Sequence, residues 1–115
     1  MDTLHYLNLM RKVLLPLPGV EEYTCFGTPA FRVKKKLLAR VREDGETVAI
    51  HCDDRDVWID AEPAVFFVTE HYFKYPTVLL KLEKASKATI TKVLTEAWEQ
   101  IAPKTILKAY LLNKK

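Results

Sequence analysis

An α+β fold, an antiparallel β-sheet with N- and C-terminal helices packed on one face, is the class this sequence predicts, and three observations predict it. Apolar residues near the N-terminus recur at helical spacing. The middle of the chain breaks into short β-prone runs separated by Gly, Pro and Asp-Gly. The last third returns to helical spacing behind a serine suited to capping. Strands grouped between helices favour segregated layers over a parallel α/β sheet.

Leu4, Leu7, Met10, Val13 and Leu14 form the stripe of a first helix, which Asp2 or Thr3 is placed to cap. Pro16, Pro18 and Gly19 end it. Strands are expected at Tyr23–Phe26, Ala30–Lys34, Leu37–Arg42 and Thr47–Cys52, with Gly27-Thr28-Pro29 as a structural turn. Glu43-Asp44-Gly45-Glu46 holds the Asp-Gly pair that a tight hairpin favours. Asp53 or Asp54 is placed to cap a short helix through Val57 and Trp58 to Asp60, closed by Pro63. Ala64–Thr69 and Thr77–Leu82 read as strands around an aromatic loop, Glu70–Pro76. Ser86 precedes a helix whose buried stripe is Ile90, Val93, Leu94, Ala97, Trp98 and Ile101. Pro103 opens a final helix with Ile106, Leu107, Tyr110 and Leu111 as its apolar contacts.

One domain over residues 1–115 is expected, long enough to bury a core without staples. The 49% hydrophobic and 29% charged composition is that of a globular protein, which excludes a disordered or fibrous chain. No apolar run approaches the roughly 20 residues of a membrane helix, so no membrane partner is expected. The opening MDTLHYLN lacks the cationic lead of a secretory signal, and a cytoplasmic location follows as the expectation. Cys25 and Cys52 do not make a disulfide framework; both read as buried small hydrophobes. Cys-x-x-Cys spacing is absent, and no metal or cofactor is expected. Ser86, the only serine, has no nucleophile-elbow glycines around it, and His5, His51 and His71 lack metalloprotease spacing. No catalytic residue is assigned.

Charge is segmented, and segmentation orients a charged partner even at a net charge of +3. Residues 32–42 carry six bases and no acid; residues 43–62 carry eight acids against Arg55 alone. Within FRVKKKLLARVR, a side-chain period of two turns Phe31, Val33, Leu37, Ala39 and Val41 to the core. The same period turns Arg32, Lys34, Arg40 and Arg42 to the outer face, with His51 beside them. Arg32, Lys34, Lys35, Lys36, Arg40 and Arg42 are the candidate nucleic-acid contacts, because cations on one face neutralise phosphates and release counterions. The other reading is a solvated sheet face whose charges blunt edge pairing. His71, Tyr72, Lys74 and Tyr75 are the second candidate group: aromatics beside cations stack on unpaired bases or line a pocket for a small molecule or protein segment. They equally serve to pack over the sheet end.

LPGVEEYTCFGTPAFRV at Leu17–Val33, FFVTEHYFKYPTVLLKL at Phe66–Leu82 and AWEQIAPK at Ala97–Lys104 together resemble the MmcQ/YjbR family over nearly the whole chain. The resemblance implies a frataxin-like (CyaY-like) antiparallel sheet with helices on one side. It also implies DNA binding by a double-wing mode, with no reaction or cofactor attached. This chain departs from the pattern where many relatives place a glycine near the Lys34–Lys36 turn.

Overall fold

The computed structural model describes residues 3–113. Helix α1 (Thr3–Leu14) leads into four antiparallel strands, β1 (Val20–Cys25), β2 (Thr28–Val33), β3 (Lys36–Val41) and β4 (Thr47–His51). Helix α2 (Arg55–Ala61), the two-residue strand β5 (Phe66–Phe67) and β6 (Thr77–Lys81) follow, then α3 (Lys87–Ile101) and α4 (Lys104–Asn113). The strands form one sheet in the order β1-β2-β3-β4-β6-β5, antiparallel throughout. This is the expected α+β class. The capping role of Asp2 lies outside the described residues, and Thr3 is already helical.

One face of the sheet carries Phe31, Val33, Val41, Val48, Ile50, Val78, Leu80 and Phe66, all buried with Met10 and Leu14 of α1 and the full α3 stripe. Trp98 anchors this layer. It is fully buried, and its indole N–H donates to the Pro18 carbonyl at 2.9 Å. Ser86 caps α3 as expected, accepting from the Thr89 N–H at 3.1 Å. Asp54 stands at the N-cap of α2 but makes no capping hydrogen bond; its carboxylate takes the Cys52 thiol and the Gln100 amide instead. Cys52 is buried as expected, and burial pushes its thiol up to about 12. Cys25 is only half-buried, because its place at the end of edge strand β1 leaves one side uncovered. No described helix is long and apolar enough to cross a membrane.

Two expectations about the hairpins are corrected. First, Leu37 does not face the core. Phe31 pairs with Ala39 but Arg32 pairs with Leu37, so Leu38 is the extra residue of a β-bulge. The bulge turns Leu38 inward to full burial and leaves Leu37 42% exposed on the other face. The turn expected at Glu43-Asp44-Gly45-Glu46 is present. Arg42 N–H donates to the Thr47 carbonyl, which leaves a four-residue loop. Asp44 holds that loop by accepting from the Glu46 and Thr47 N–H groups and the Thr47 hydroxyl at 2.8–2.9 Å. Second, Thr28 and Pro29 belong to β2, so the first hairpin turns at Phe26-Gly27 and not at Gly27-Thr28-Pro29, while the lysine turn falls where the sequence places it. Cys25 pairs with Thr28 across Phe26-Gly27, and Val33 pairs with Lys36 across Lys34-Lys35.

All four of those turn residues have positive φ: 51° and 80° in the first turn, 49° and 75° in the second. Two left-handed residues in succession define the type I′ turn, which matches strand twist and favours Asn-Gly. Lysine there is strained by the contact of Cβ with the following carbonyl. Replacing Lys34-Lys35 by Asn-Gly is therefore expected to stabilise the protein by about 1–2 kcal/mol, read as a higher urea midpoint at unchanged m-value.

Acid sensitivity follows from the same loops. The hydrogen bond from Arg11 holds Glu22 below its ordinary range, and that from Arg40 does so for Glu43. Burial works against ionisation of Asp44, but the Glu46 and Thr47 donors win and lower it. A carboxylate lowered in the fold contributes stability above its unfolded value, lost as pH falls through its folded value. Stability is expected to fall below pH ~4. Asp44→Asn should lower the urea midpoint at pH 7 and flatten its decline in acid.

Candidate functional site

The face opposite the helices is not a bare cationic surface. Direct cross-strand partners share a face, and one row runs Tyr23, Ala30, Arg40, Ala49, Leu79, Phe67. Its middle is buried: Ala30, Ala49 and Leu79 are as inaccessible as core residues, and Arg40 is only 7% exposed. The segment between β5 and β6 lines a cleft of about 530 Å³ on this face. Arg40, Arg42 and Ala49 form part of its lining, Phe26 and Leu37 belong to it, and His51, His71, Tyr72 and Tyr75 line it too, with the Glu43 carboxylate beside the arginines.

The structure thus joins two groups that the sequence kept apart. Arg40 and Arg42 of the hairpin meet His71, Tyr72 and Tyr75 of the aromatic loop. The Arg42 guanidinium lies 5.6 Å from the Tyr72 ring centroid, and His71 sits edge-on to Tyr72 at 4.8 Å. His51 is on the outer face as expected, its Nε2 3.2 Å from Asp53 Oδ1.

Not every candidate belongs to the cleft. Lys34 and Lys35 occupy the turn at the end of the β2–β3 hairpin and are exposed. Lys36 is exposed too, but it pairs with Val33 and so belongs to the helix-side face. Lys74 lines a separate hollow with Arg55, Asp56 and Phe73. Tyr75 borders both.

The arginines divide by what they already hold. Arg32 donates to Glu21 at 2.9 Å and stacks 4.4 Å over Tyr23. Arg40 donates to Glu43 and, at 3.2 Å, to the Cys25 carbonyl. Burial disfavours the charge on Arg40, but the Glu43 contact outweighs it and raises the guanidinium above its ordinary value. Both are matched by carboxylates, so neither offers an unpaired charge to a polyanion; the alternation of side chains could not reveal this. Arg42 differs. It makes no ion pair or side-chain hydrogen bond among the described residues, and its buried Nε is unsatisfied.

Phe26 was not singled out by sequence. It is 87% exposed, its backbone is left-handed at φ 51°, and the Arg40 guanidinium lies 5.3 Å from its ring centroid. The available signal was the dipeptide Phe-Gly between two β-prone runs, where a hairpin turn favours a small polar residue before the glycine.

Arg55 positions the loop. Its guanidinium donates to the carbonyls of Tyr72 (3.3 Å), Phe73 (2.7 Å), Tyr75 (2.8 Å) and Thr77 (3.3 Å), and lies 5.0 Å from the Phe73 ring centroid. Among the described residues, no group of three or more His, Cys, Asp or Glu is arranged to hold a metal ion. The acids from Glu43 to Glu62 are dispersed instead among the Arg40 pair, the β3–β4 loop and α2.

Residues 15–100 match a family model described as YjbR. Two uncharacterized proteins, Rv2570 of Mycobacterium tuberculosis and Mb2600 of Mycobacterium bovis, are each 36% identical over 72 residues, 60% of this chain. The match covers 56% of each, little more than half of their length. The crystal structure of Deinococcus radiodurans protein DR2400, a DUF419 domain, shares the fold with a TM-score of 0.71 at 21% identity. That likeness covers 91% of this chain and 82% of the other.

Hydrogen bonds to a charged group contribute about 1.5–3 kcal/mol each at most, and four acceptors share one guanidinium here. Arg55→Ala is expected to destabilise the protein by about 2 kcal/mol and to open the loop to trypsin after Lys74. Arg55→Lys should protect only in part, since an ammonium lacks the planar fork. Cleavage rates under native conditions read both.

Proposed function

The chain belongs to the YjbR family, and from that premise we propose that it binds DNA on the outer face of its sheet, without catalysis. One observation carries the reading: cations that make no direct ion pair flank a cleft rimmed by exposed aromatics, Arg42 among them although it lies within the electrostatic reach of Glu43 and Asp44. Lys34 and Lys35 stand at one end of the β2–β3 hairpin, Arg42 near the other, and Phe26 and Tyr75 edge the cleft between. Free cations neutralise phosphates and release counterions, while paired ones must first give up a carboxylate. The phosphate contacts are therefore assigned to Lys34, Lys35 and Arg42, with Lys36 close by. Arg32 and Arg40 shape the face.

Binding rather than reaction is favoured by the side chains around the cleft. His51 is engaged by Asp53, and the nearby Cys52 thiol is held protonated by burial. A cytoplasmic setting, in which both thiols stay reduced, is part of the proposal.

A second reading has its own support. A cleft of about 530 Å³ is of the size that holds small ligands. A small-molecule module would show thermal stabilisation by its compound with little response to salt.

The test is a titration of DNA at several salt concentrations. Affinity is expected to fall linearly on a log–log plot, and Lys34→Glu with Lys35→Glu should reduce the slope by about two. No affinity at low salt, or an unchanged slope in the double variant, overturns the proposal.

A further inference from the structure

Resting on the nucleic-acid reading, we infer that the cleft takes an unpaired base, with Phe26 as its stacking platform, so that single-stranded DNA is the preferred form. Four observations lead there. Phe26 is the most exposed of the large hydrophobic side chains, at 87%, so packing in the fold does not account for it. Its backbone sits in the left-handed region, which is uncommon for a bulky residue and costs free energy. The neighbouring Gly27 has nothing within 4 Å of an added Cβ, so the turn is open and not crowded into that shape. The Arg40 guanidinium lies against the ring while most of the ring faces solvent. An exposed, strained aromatic on the rim of a cleft is costly to keep unless a ligand uses it.

Base stacking fits the chemistry of that rim. An aromatic face beside a cation accepts any base, because every base presents a π-face. The neighbouring Arg42, short of a hydrogen-bond partner at Nε, supplies charge for the adjoining phosphate.

Topology supplies the rest of the path. Phe26 lies near the end of the sheet where β3 leaves, and Lys34-Lys35 near the end where it enters. Six residues of β3 separate them, about 20 Å, a span of several nucleotides. The cleft runs between, walled by Tyr72 and Tyr75. A paired base keeps its faces inside the duplex stack and has none to offer Phe26.

The experiment compares a single-stranded oligothymidine with a duplex of equal length, using wild type, Phe26→Asn and Phe26→Trp. Asparagine before Gly27 suits the type I′ turn, so Phe26→Asn should raise the urea midpoint while weakening single-strand affinity about tenfold or more. Its duplex affinity should stay within about twofold, since no stacking is lost there. Phe26→Trp should keep the affinity, and its added fluorescence should be quenched by saturating oligothymidine. Unchanged single-strand affinity in Phe26→Asn, equal losses on both DNA forms, or an unquenched tryptophan overturns the stacking assignment while leaving DNA binding in place. Absence of binding to either form by wild type overturns both.

Discussion

The Arg55 guanidinium is the constraint on which the outer face depends. It sits at the first turn of α2 and reaches four carbonyls of the segment that leads into β6. The Tyr72 and Tyr75 carbonyls each already accept one backbone N–H and Thr77 opens β6, so the guanidinium adds a second donor to turns that the backbone has begun to close. A planar donor fork answers several of these carbonyls at once, where a lysine would answer fewer. The loop then lies across the sheet, with Tyr72 over Arg42 and Tyr75 beside the cleft. Without the loop, the row from Ala30 to Leu79 would be a flat surface. With it, Arg40 and Ala49 of that row line a cleft.

Covering part of a sheet face changes what its charges do. An arginine removed from water needs compensation, which Glu43 gives to the buried Arg40, while Arg32 pairs with Glu21 at the exposed surface. The segmented charge of the sequence is therefore neutralised locally at two of the six bases in residues 32–42, Arg32 and Arg40. The cations without a direct ion pair sit at the hairpin end, where water reaches them, and at Arg42, which acts on Glu43 and Asp44 only through space. Electrostatic attraction on this face is thus concentrated at two ends of a cleft and not spread over a plane.

Much of the fold was legible because it rests on periodicity. The α3 stripe from Ile90 to Ile101 is buried residue for residue, and Ser86 caps it. The α+β class needed nothing more than helical spacing at both ends and strands between. The bulge at Leu38 was not legible, since strict alternation over LLARV turns Leu37, Ala39 and Val41 inward, and only pairing with β2 reveals the extra residue. The strand expected over Ala64–Thr69 shrinks to Phe66–Phe67 because β5 is an edge strand with a single partner. The site was half legible. Basic and aromatic residues were both visible as candidates, but their meeting in one cleft depends on Arg55 contacts 17–22 residues away in sequence. The carboxylate partners of Arg32 and Arg40 were hidden for the same reason.

The two type I′ turns show how local strain and function separate in this chain. Lys34, Lys35 and Phe26 all occupy left-handed backbone without being glycine, and all three side chains are exposed. Strain of this kind is ordinarily offset by packing, yet solvent-facing side chains gain little from the core. The sheet holds the turns shut through the register on either side, from Val20↔Val33 to Cys25↔Thr28 in one hairpin and from Val33↔Lys36 inward in the other. Stability in the core therefore carries two cations and an aromatic in conformations that a turn selected for stability alone would avoid. That the residues held this way are the ones best suited to phosphates and bases is what ties the turn geometry to the outer cleft.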